Sequence, residues 1–171
     1  AAFMVFIGAL DDRFDLPPRV RLFAHLSAAI AVVYGTGYTV GSLGDLVGWR
    51  ELSLGWLDLP FTVVSIVALI NAFNMLDGLD GLAGSCGMVA LGGTMVIASV
   101  GGSPGVLLIA GSMLGAVVAF LLFNLPTHLN RPVRTFMGDA GSTLLGFVLA
   151  GLALTLVQPG WQRSMMANSS P

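Results

Sequence analysis

The sequence predicts an all-α, polytopic transmembrane helical bundle. Of its 171 residues 56% are hydrophobic and 9% charged, whereas a soluble domain carries about 25% charged residues. The mean hydropathy is +0.89. Apolar runs of roughly 17 to 22 residues, long enough for a helix to cross the hydrocarbon layer, alternate with short polar breaks. We predict about five full spans plus a partial N-terminal helix, because lipid requires every backbone donor to be satisfied internally.

The elements follow in order along the chain. Residues 1–10 are predicted to be the end of a helix, since the chain begins inside an apolar run, and we interpret it as a fragment. The predicted full spans are residues 20–41, 60–76, 84–101, 105–124 and 141–158. Three of these runs begin near Pro18, Pro60 and Pro104, where the missing N–H is harmless. Gly111 and Gly115 have the spacing of closely packed helices. Residues 1–158 are predicted to be the central part of one transmembrane domain, and 159–171 a disordered tail.

Composition excludes some kinds of site. One cysteine, Cys86, excludes an intramolecular disulfide, and two histidines make a tetrahedral zinc site improbable. We predict His25 to lie inside the bundle near one end and His128 to lie in a loop, and neither to be a catalyst. The basic residues are seven arginines, with no lysine.

The alternation of spans assigns each polar break to one of two membrane faces. One face receives five arginines, and the other receives Arg50 and Arg163. The larger group is Arg13, Arg19, Arg21, Arg131 and Arg134. The positive-inside rule therefore makes the first face cytoplasmic.

Carboxylates gather on the same predicted face. Six aspartates from three separate motifs reach it: Asp11, Asp12, Asp15, Asp77, Asp80 and Asp139. A carboxylate where an apolar helix meets a loop is costly unless it is paired, solvated or metal-bound. Oxygen ligands without Cys or His favour Mg²⁺, which completes its shell with substrate phosphate oxygens.

Each motif also has a structural interpretation. Acids at a helix C-terminus, such as Asp11 and Asp12, oppose the helix dipole, which favours a functional role. Asp15 is interpreted as a turn residue. Asp77 and Asp80 share a face if the helix continues and form a polar turn if it breaks at the Asp-Gly steps.

Three stretches then resemble a known family. "GALDDRFDLPPRVRLFAHL", "NAFNMLDGLDGLAG" and "RTFMGDAGSTLLGF" resemble, in order and spacing, motifs of the polyprenyl-phosphate N-acetylhexosamine-1-phosphate transferases. The resemblance implies transfer of the sugar-1-phosphate from a UDP-N-acetylhexosamine to undecaprenyl phosphate, with release of UMP, as the first step of a lipid-linked cell-wall or surface glycan. It also implies a Mg²⁺-dependent integral enzyme of the bacterial inner membrane, active at the cytoplasmic face, with membrane lipid and no nucleic acid as partner. Whether Mn²⁺ replaces Mg²⁺, and whether the protein is a homodimer, stay open.

The resemblance also implies residue roles. Asp11 and Asp12 are the predicted catalytic residues, in that Asp11 engages or deprotonates the lipid phosphate with Asp12 beside it, and Asp139 is the principal Mg²⁺ ligand. The predicted nucleotide- and substrate-binding residues are Asn74, Asp77, Asp80, Phe136, Arg131 and Arg134. Phe136 is expected to stack on uracil, whereas the two arginines are chosen for their fit to phosphate charge.

Two departures and two alternatives accompany this interpretation. Basic and His-rich loops of the family lie outside this sequence, so we expect the fragment alone to be inactive, and Arg19 or Arg21 stands where the family has lysine. A cation transporter is the first alternative, but transporters place such carboxylates near the bilayer midplane. A CDP-alcohol phosphotransferase is the second, but no arginine lies between Arg50 and Arg131. Which hexosamine and which glycan are involved cannot be read from these motifs.

Overall fold

The described residues of the computed structural model are 1–44, 48, 52–125 and 135–158, and they form a helical bundle. Its six α-helices are α1 (Ala2–Phe14), α2 (Pro18–Thr36), α3 (Asp58–Leu76), α4 (Leu82–Val100), α5 (Pro104–Asn124) and α6 (Gly138–Leu156). A 3₁₀ turn, Gly55–Leu57, precedes α3. Prolines begin α2 and α5, as predicted. The all-helical prediction is confirmed.

Within the described ranges, four helices are long and apolar enough to cross a membrane: the segment Gly55–Leu76 together with α4, α5 and α6. The predicted span 20–41 differs from the structure, because α2 ends at Thr36 and Gly37 takes a left-handed conformation with φ 68°. The segment beyond Gly37 returns through an antiparallel bridge between Ser42 and Ser53. Arginines in its first turns and a buried histidine also lower the hydropathy of α2.

Helix α6 is the axis of the bundle. Its residues belong to two hydrophobic clusters, one shared with α4, α5 and Phe73 of α3 and the other with α1, α2 and α3. Glycines allow its closest contacts: a Cβ at Gly8 of α1 would lie 2.3 Å from the Cα of Ala140, and one at Gly146 would lie 2.8 Å from the Cα of Ile70. Small residues permit such backbone approach in membrane bundles, where dispersion contacts drive helix association.

The glycine pair singled out in α5 contributes less than these. A Cβ at Gly111 would make an ordinary 3.6 Å contact with Met95, and one at Gly115 would meet no other described residue. The packing role predicted for the pair is therefore confined to Gly111. The exposed outer surface of the bundle is rich in large apolar side chains, as expected of helices that face lipid.

Candidate active site

The three polar motifs meet at one end of the bundle. They occupy the end of α1, the end of α3 and the start of α6. Asp12 accepts a hydrogen bond from the backbone N–H of Asp139, 127 residues along the chain, at 2.7 Å. Asn74 donates through Nδ2 to Oδ1 of Asp139. The alternation of spans predicted that these motifs share one face, and the structure places them in contact.

Asp139 lies at the centre of this cluster. The Nδ2 atom of Asn74, which donates to the carboxylate of Asp139, also lies 3.3 Å from the hydroxyl oxygen of Ser142. Thr143 donates its hydroxyl proton to the main-chain oxygen of Asp139, and Ser142 donates to that of Gly138 at 3.1 Å. The Asp139 carboxylate is therefore held by Asn74 of α3, the hydroxyls of α6 bind the main chain around it, and the residue stays partly exposed.

Asp11 is a buried carboxyl group beside Leu16, Arg21 and the carboxyl group of Asp139, and burial raises its pKa above the ordinary value. The residue is 5% exposed. Its Oδ1 accepts a hydrogen bond from the backbone N–H of Leu16 at 2.9 Å, and its Oδ2 lies 3.2 Å from Nη1 of Arg21. A buried charge is tolerated when it is paired and hydrogen-bonded. Of the two arginines that could replace a family lysine, the structure places Arg21 in the cluster.

The chain turns twice beside this group. Asp15 ends α1 in a left-handed conformation with φ 48°, which agrees with its interpretation as a turn residue. Helix α3 ends at Leu76, so the two Asp-Gly steps form a polar turn before α4, with Gly81 at φ 76°. Asp77 begins this turn, and Asp80 is exposed on it.

Asp77 is a titratable group at the edge of the cluster. Partial burial, together with the charges of Asp139 and Asp12, raises its pKa to about 6, against an opposing hydrogen bond with the backbone of Gly138. Near neutral pH the site therefore holds several carboxylates that repel one another. Such crowding favours the binding of a cation.

The segment before α6 carries the predicted aromatic residue. Phe136 is 75% exposed, so its ring is accessible for stacking. Beside it, Asn124 at the end of α5 donates through Nδ2 to the main-chain oxygen of Thr135 at 2.6 Å. Arg131 and Arg134 lie outside the described residues.

Comparison with known proteins identifies the family. The profile of "Glycosyl transferase family 4" matches residues 1–157. The chain belongs to this family. It is 38% identical over 158 residues to an undecaprenyl-phosphate alpha-N-acetylglucosaminyl 1-phosphate transferase of Yersinia pestis, covering 92% of this chain and 43% of the relative. The corresponding protein of Escherichia coli K12 is also 38% identical, with the same coverages.

A more distant relative carries a similar name. A probable undecaprenyl-phosphate N-acetylglucosaminyl 1-phosphate transferase of Bacillus subtilis is 33% identical over 154 residues, which cover 90% of this chain and 41% of the relative. The chain thus spans less than half the length of these relatives. The family match supports neither a cation transporter nor a CDP-alcohol phosphotransferase.

The oxygen ligands of this family 4 chain suit a metal shared with a substrate. In the part of the chain that the structure describes, no three His, Cys, Asp or Glu side chains are grouped closely enough to hold an ion on their own. Mg²⁺ commonly uses only one or two carboxylates and completes its shell with phosphate oxygens and water. Asp139 and Asp77, whose charges repel each other, fit that arrangement.

Two buried polar residues of this family 4 chain are not among the site residues predicted from the sequence. Asn124 is 4% exposed, and its Oδ1 has no hydrogen-bond partner among the described residues. Its only sequence signal is a single amide at the end of the very apolar α5. His25, 3% exposed, lies one turn after Arg21, and its Nδ1 likewise has no described partner. Its position inside the bundle agrees with the prediction.

Proposed function

We propose that the protein containing this chain transfers N-acetylhexosamine-1-phosphate from a UDP-sugar to undecaprenyl phosphate and releases UMP. The observation that carries the proposal is the contact of Asp12, Asn74 and Asp139 at one end of an apolar bundle. The names of the relatives support undecaprenyl phosphate as acceptor and N-acetylglucosamine as the sugar. The UDP donor rests on the resemblance of the three motifs.

The reaction exchanges one phosphorus–oxygen bond for another. An oxygen of the lipid phosphate attacks the phosphorus next to the sugar, and the bond from that phosphorus to the oxygen of UMP breaks. The electron pair of the broken bond leaves with UMP. A phosphate monoester whose second pKa is about 6 is mostly ionised at neutral pH, so proton removal by a base contributes little. Positioning and charge stabilisation provide most of the catalysis.

Asp11 and Arg21 form the proposed acceptor side. The guanidinium of Arg21 has five N–H donors, and the pairing with Asp11 uses only part of them. Its remaining donors are suited to the lipid phosphate. Asp11, fixed by the N–H of Leu16, holds the guanidinium in place and, as the resemblance implies, engages that phosphate.

Residues of the α3–α4 turn and the segment before α6 form the proposed donor side. Asn74, Asp77 and Asp80 face the nucleotide and its diphosphate, and the exposed Phe136 ring stacks on uracil. The buried amide of Asn124 fixes the backbone that precedes Phe136 through the hydrogen bond to Thr135. Arg131 and Arg134 are proposed to contact phosphate charge.

Asp139, assisted by Asp77, would hold Mg²⁺. When bound, the ion neutralises the diphosphate and the charge that develops on departing UMP. The contribution of the chain itself is to orient the Asp139 carboxylate through Asn74 and to keep it close to Asp11. Mn²⁺ has the same preference for oxygen ligands and is a candidate substitute.

The membrane face on which the site lies is proposed from the distribution of the arginines. Because the arginines of the site face are in excess, we propose that this face is cytoplasmic and that the membrane is the bacterial inner membrane. UDP-sugar donors would then approach from the cytoplasm, and the lipid phosphate would reach Arg21 from the membrane.

The test uses the full-length protein, purified in detergent. With UDP-N-acetylglucosamine, polyprenyl phosphate and Mg²⁺ we expect equal amounts of UMP and lipid-linked sugar diphosphate. Asp139→Asn should reduce turnover by a factor of about 10³ if charge stabilisation is lost, whereas the matched control Asp15→Asn should retain turnover.

Two further measurements accompany this test. The 171-residue chain by itself, which spans less than half the length of its relatives, should release no UMP above the blank. Thermal stabilisation of the full-length protein by a UDP-sugar supports the proposal. Stabilisation by a CDP-lipid, or by Mg²⁺ with no response to either nucleotide and no UMP release, contradicts it.

A further inference from the structure

Asp12 uses both carboxylate oxygens on the backbone of α6. Its Oδ1 accepts from the N–H of Asp139 at 2.7 Å, and its Oδ2 accepts from the N–H of Ala140 at 3.2 Å. These are the second and third residues of α6, whose N–H groups have no partner within a helix. Met137, the residue that precedes α6, makes no side-chain cap of its own. Asp12 therefore caps a helix 127 residues away.

The surrounding backbone is shaped for this contact. Gly138 has φ 68°, and a Cβ there would lie 2.8 Å from Oδ2 of Asp12. One turn earlier in α1, a Cβ at Gly8 would lie 2.3 Å from the Cα of Ala140. Two glycines thus make room for the same approach of α1 to α6. The carboxylate fills that space and also places a negative charge at the positive end of the helix dipole.

We infer that Asp12 is a positioning residue, which acts by fixing the start of α6 and thereby the carboxylate of Asp139. Each oxygen of Asp12 already accepts an N–H of α6, and a role as proton acceptor or metal ligand would need a second lone pair aimed at the substrate. The sequence had suggested a catalytic aspartate at this position. The kinetic consequence rests on the proposed function, but the cap itself does not.

The first experiment measures the cap directly in the full-length protein without substrates. Hydrogen exchange of peptides covering residues 138–143 reports the start of α6. Loss of the cap in Asp12→Ala should speed exchange there about tenfold, and Asp12→Asn, which keeps one acceptor oxygen, about threefold. Asp15→Asn, three residues away on the same helix end, should leave exchange as in the wild type.

The second experiment asks whether the cap acts through Asp139. Mn²⁺ binding is measured by electron paramagnetic resonance. The affinity should be highest in the control Asp15→Asn, lower in Asp12→Asn and lowest in Asp12→Ala, which should lose about tenfold. In turnover assays of Asp12→Asn, the Mg²⁺ concentration for half-maximal rate should rise by about the factor by which this variant loses Mn²⁺ affinity. Its kcat at saturating Mg²⁺ should stay within tenfold of the wild type.

Two results overturn the inference. One is unchanged exchange at the start of α6 in Asp12→Ala or, if that variant fails to fold, in Asp12→Asn. The other is a loss of kcat of about 10³ or more in Asp12→Asn with unchanged Mn²⁺ affinity, which indicates a directly catalytic carboxylate. If the wild-type protein shows no transferase activity, the proposed function fails, and the exchange and Mn²⁺ measurements still decide the role of Asp12.

Discussion

Substitution of Gly8 by alanine tests the closest contact between α1 and α6. The new Cβ would lie 2.3 Å from the Cα of Ala140 and 2.8 Å from the main-chain oxygen of Asp139. Carbon atoms in contact lie about 3.5 to 4.0 Å apart, so the helices must separate by about 1 Å or more. At that separation the 3.2 Å hydrogen bond from Ala140 to Asp12 is lost, and the 2.7 Å bond from Asp139 is stretched beyond good geometry.

The magnitude follows from opposing contributions. Overpacking costs about 1–3 kcal/mol, and loss of a hydrogen bond to a charged group costs about 1.5–3 kcal/mol. Replacing a helical glycine by alanine returns about 0.5–1 kcal/mol. These contributions together span about 1.5–5.5 kcal/mol, and we expect Gly8→Ala to lower the free energy of unfolding by an amount in the middle of that interval, about 2–4 kcal/mol.

The matched control is Gly93→Ala in α4. A Cβ at Gly93 meets nothing within 4 Å, so this variant should gain about 0.5–1 kcal/mol. The assay is thermal unfolding of the purified full-length protein in detergent, together with the turnover rate. Gly8→Ala should unfold at least about 5 °C below the wild type and turn over more than tenfold more slowly. Equal melting temperatures and rates for the two variants would refute the close contact.

Three further predictions concern polar partners. Arg21→Met should destabilise the fold by about 3–5 kcal/mol, because it leaves the buried Asp11 charge unpaired; Arg21→Lys should recover most of this in thermal unfolding, and equal losses for both would contradict the pairing. For Asp77, the folded pKa of about 6 lies above its ordinary value of 3.8, so the folded state binds this proton more tightly and ionisation destabilises it as the pH rises through that interval. Asp77→Asn should therefore raise the melting temperature of the metal-free protein at pH 7.5 and change it little at pH 4, and equal shifts at both pH values would contradict this sign. Asn124→Ala should lower the free energy of unfolding by about 1–3 kcal/mol. It should also raise KM for the UDP-sugar more than KM for the lipid, because the main-chain oxygen of Thr135, beside Phe136, loses its hydrogen-bond donor. An unchanged KM for the UDP-sugar would contradict this positioning role.

The fold could be predicted because its signals are local. Run length and polarity place α3 to α6 within a few residues, and prolines mark two helix starts. Helix α2 was predicted to extend to residue 41 because apolar composition continues past its end. The left-handed turn at Gly37 and the return from Ser42 to Ser53 stop it, and these depend on tertiary contacts that hydropathy does not contain.

The site could be predicted only as a group of motifs on one face. Parity of spans brings Asp139 to Asp12, but it cannot state which atom meets which. Asn71 and Asn74 look equivalent in the sequence, yet Asn71 donates to the main-chain oxygen of Val67 in its own helix, whereas Asn74 reaches Asp139. Helical rotation decides between them. Likewise, the ion pair with Arg21 required the three-dimensional packing of α2 against α1.

The crowding of acids at one helix start explains why each aspartate of the cluster needs a different environment. Asp11 is neutralised by Arg21, and Asp12 by the positive end of α6 and its two N–H groups. Asp77 is relieved by partial protonation near pH 6. Among the described residues, the Asp139 carboxylate meets the neutral amide of Asn74 and the carboxyl group of Asp11, and its main-chain oxygen accepts the hydroxyl of Thr143. Asp139 has no described cationic side chain beside it and stays partly exposed, which supports the proposal that a cation arriving with a diphosphate binds there.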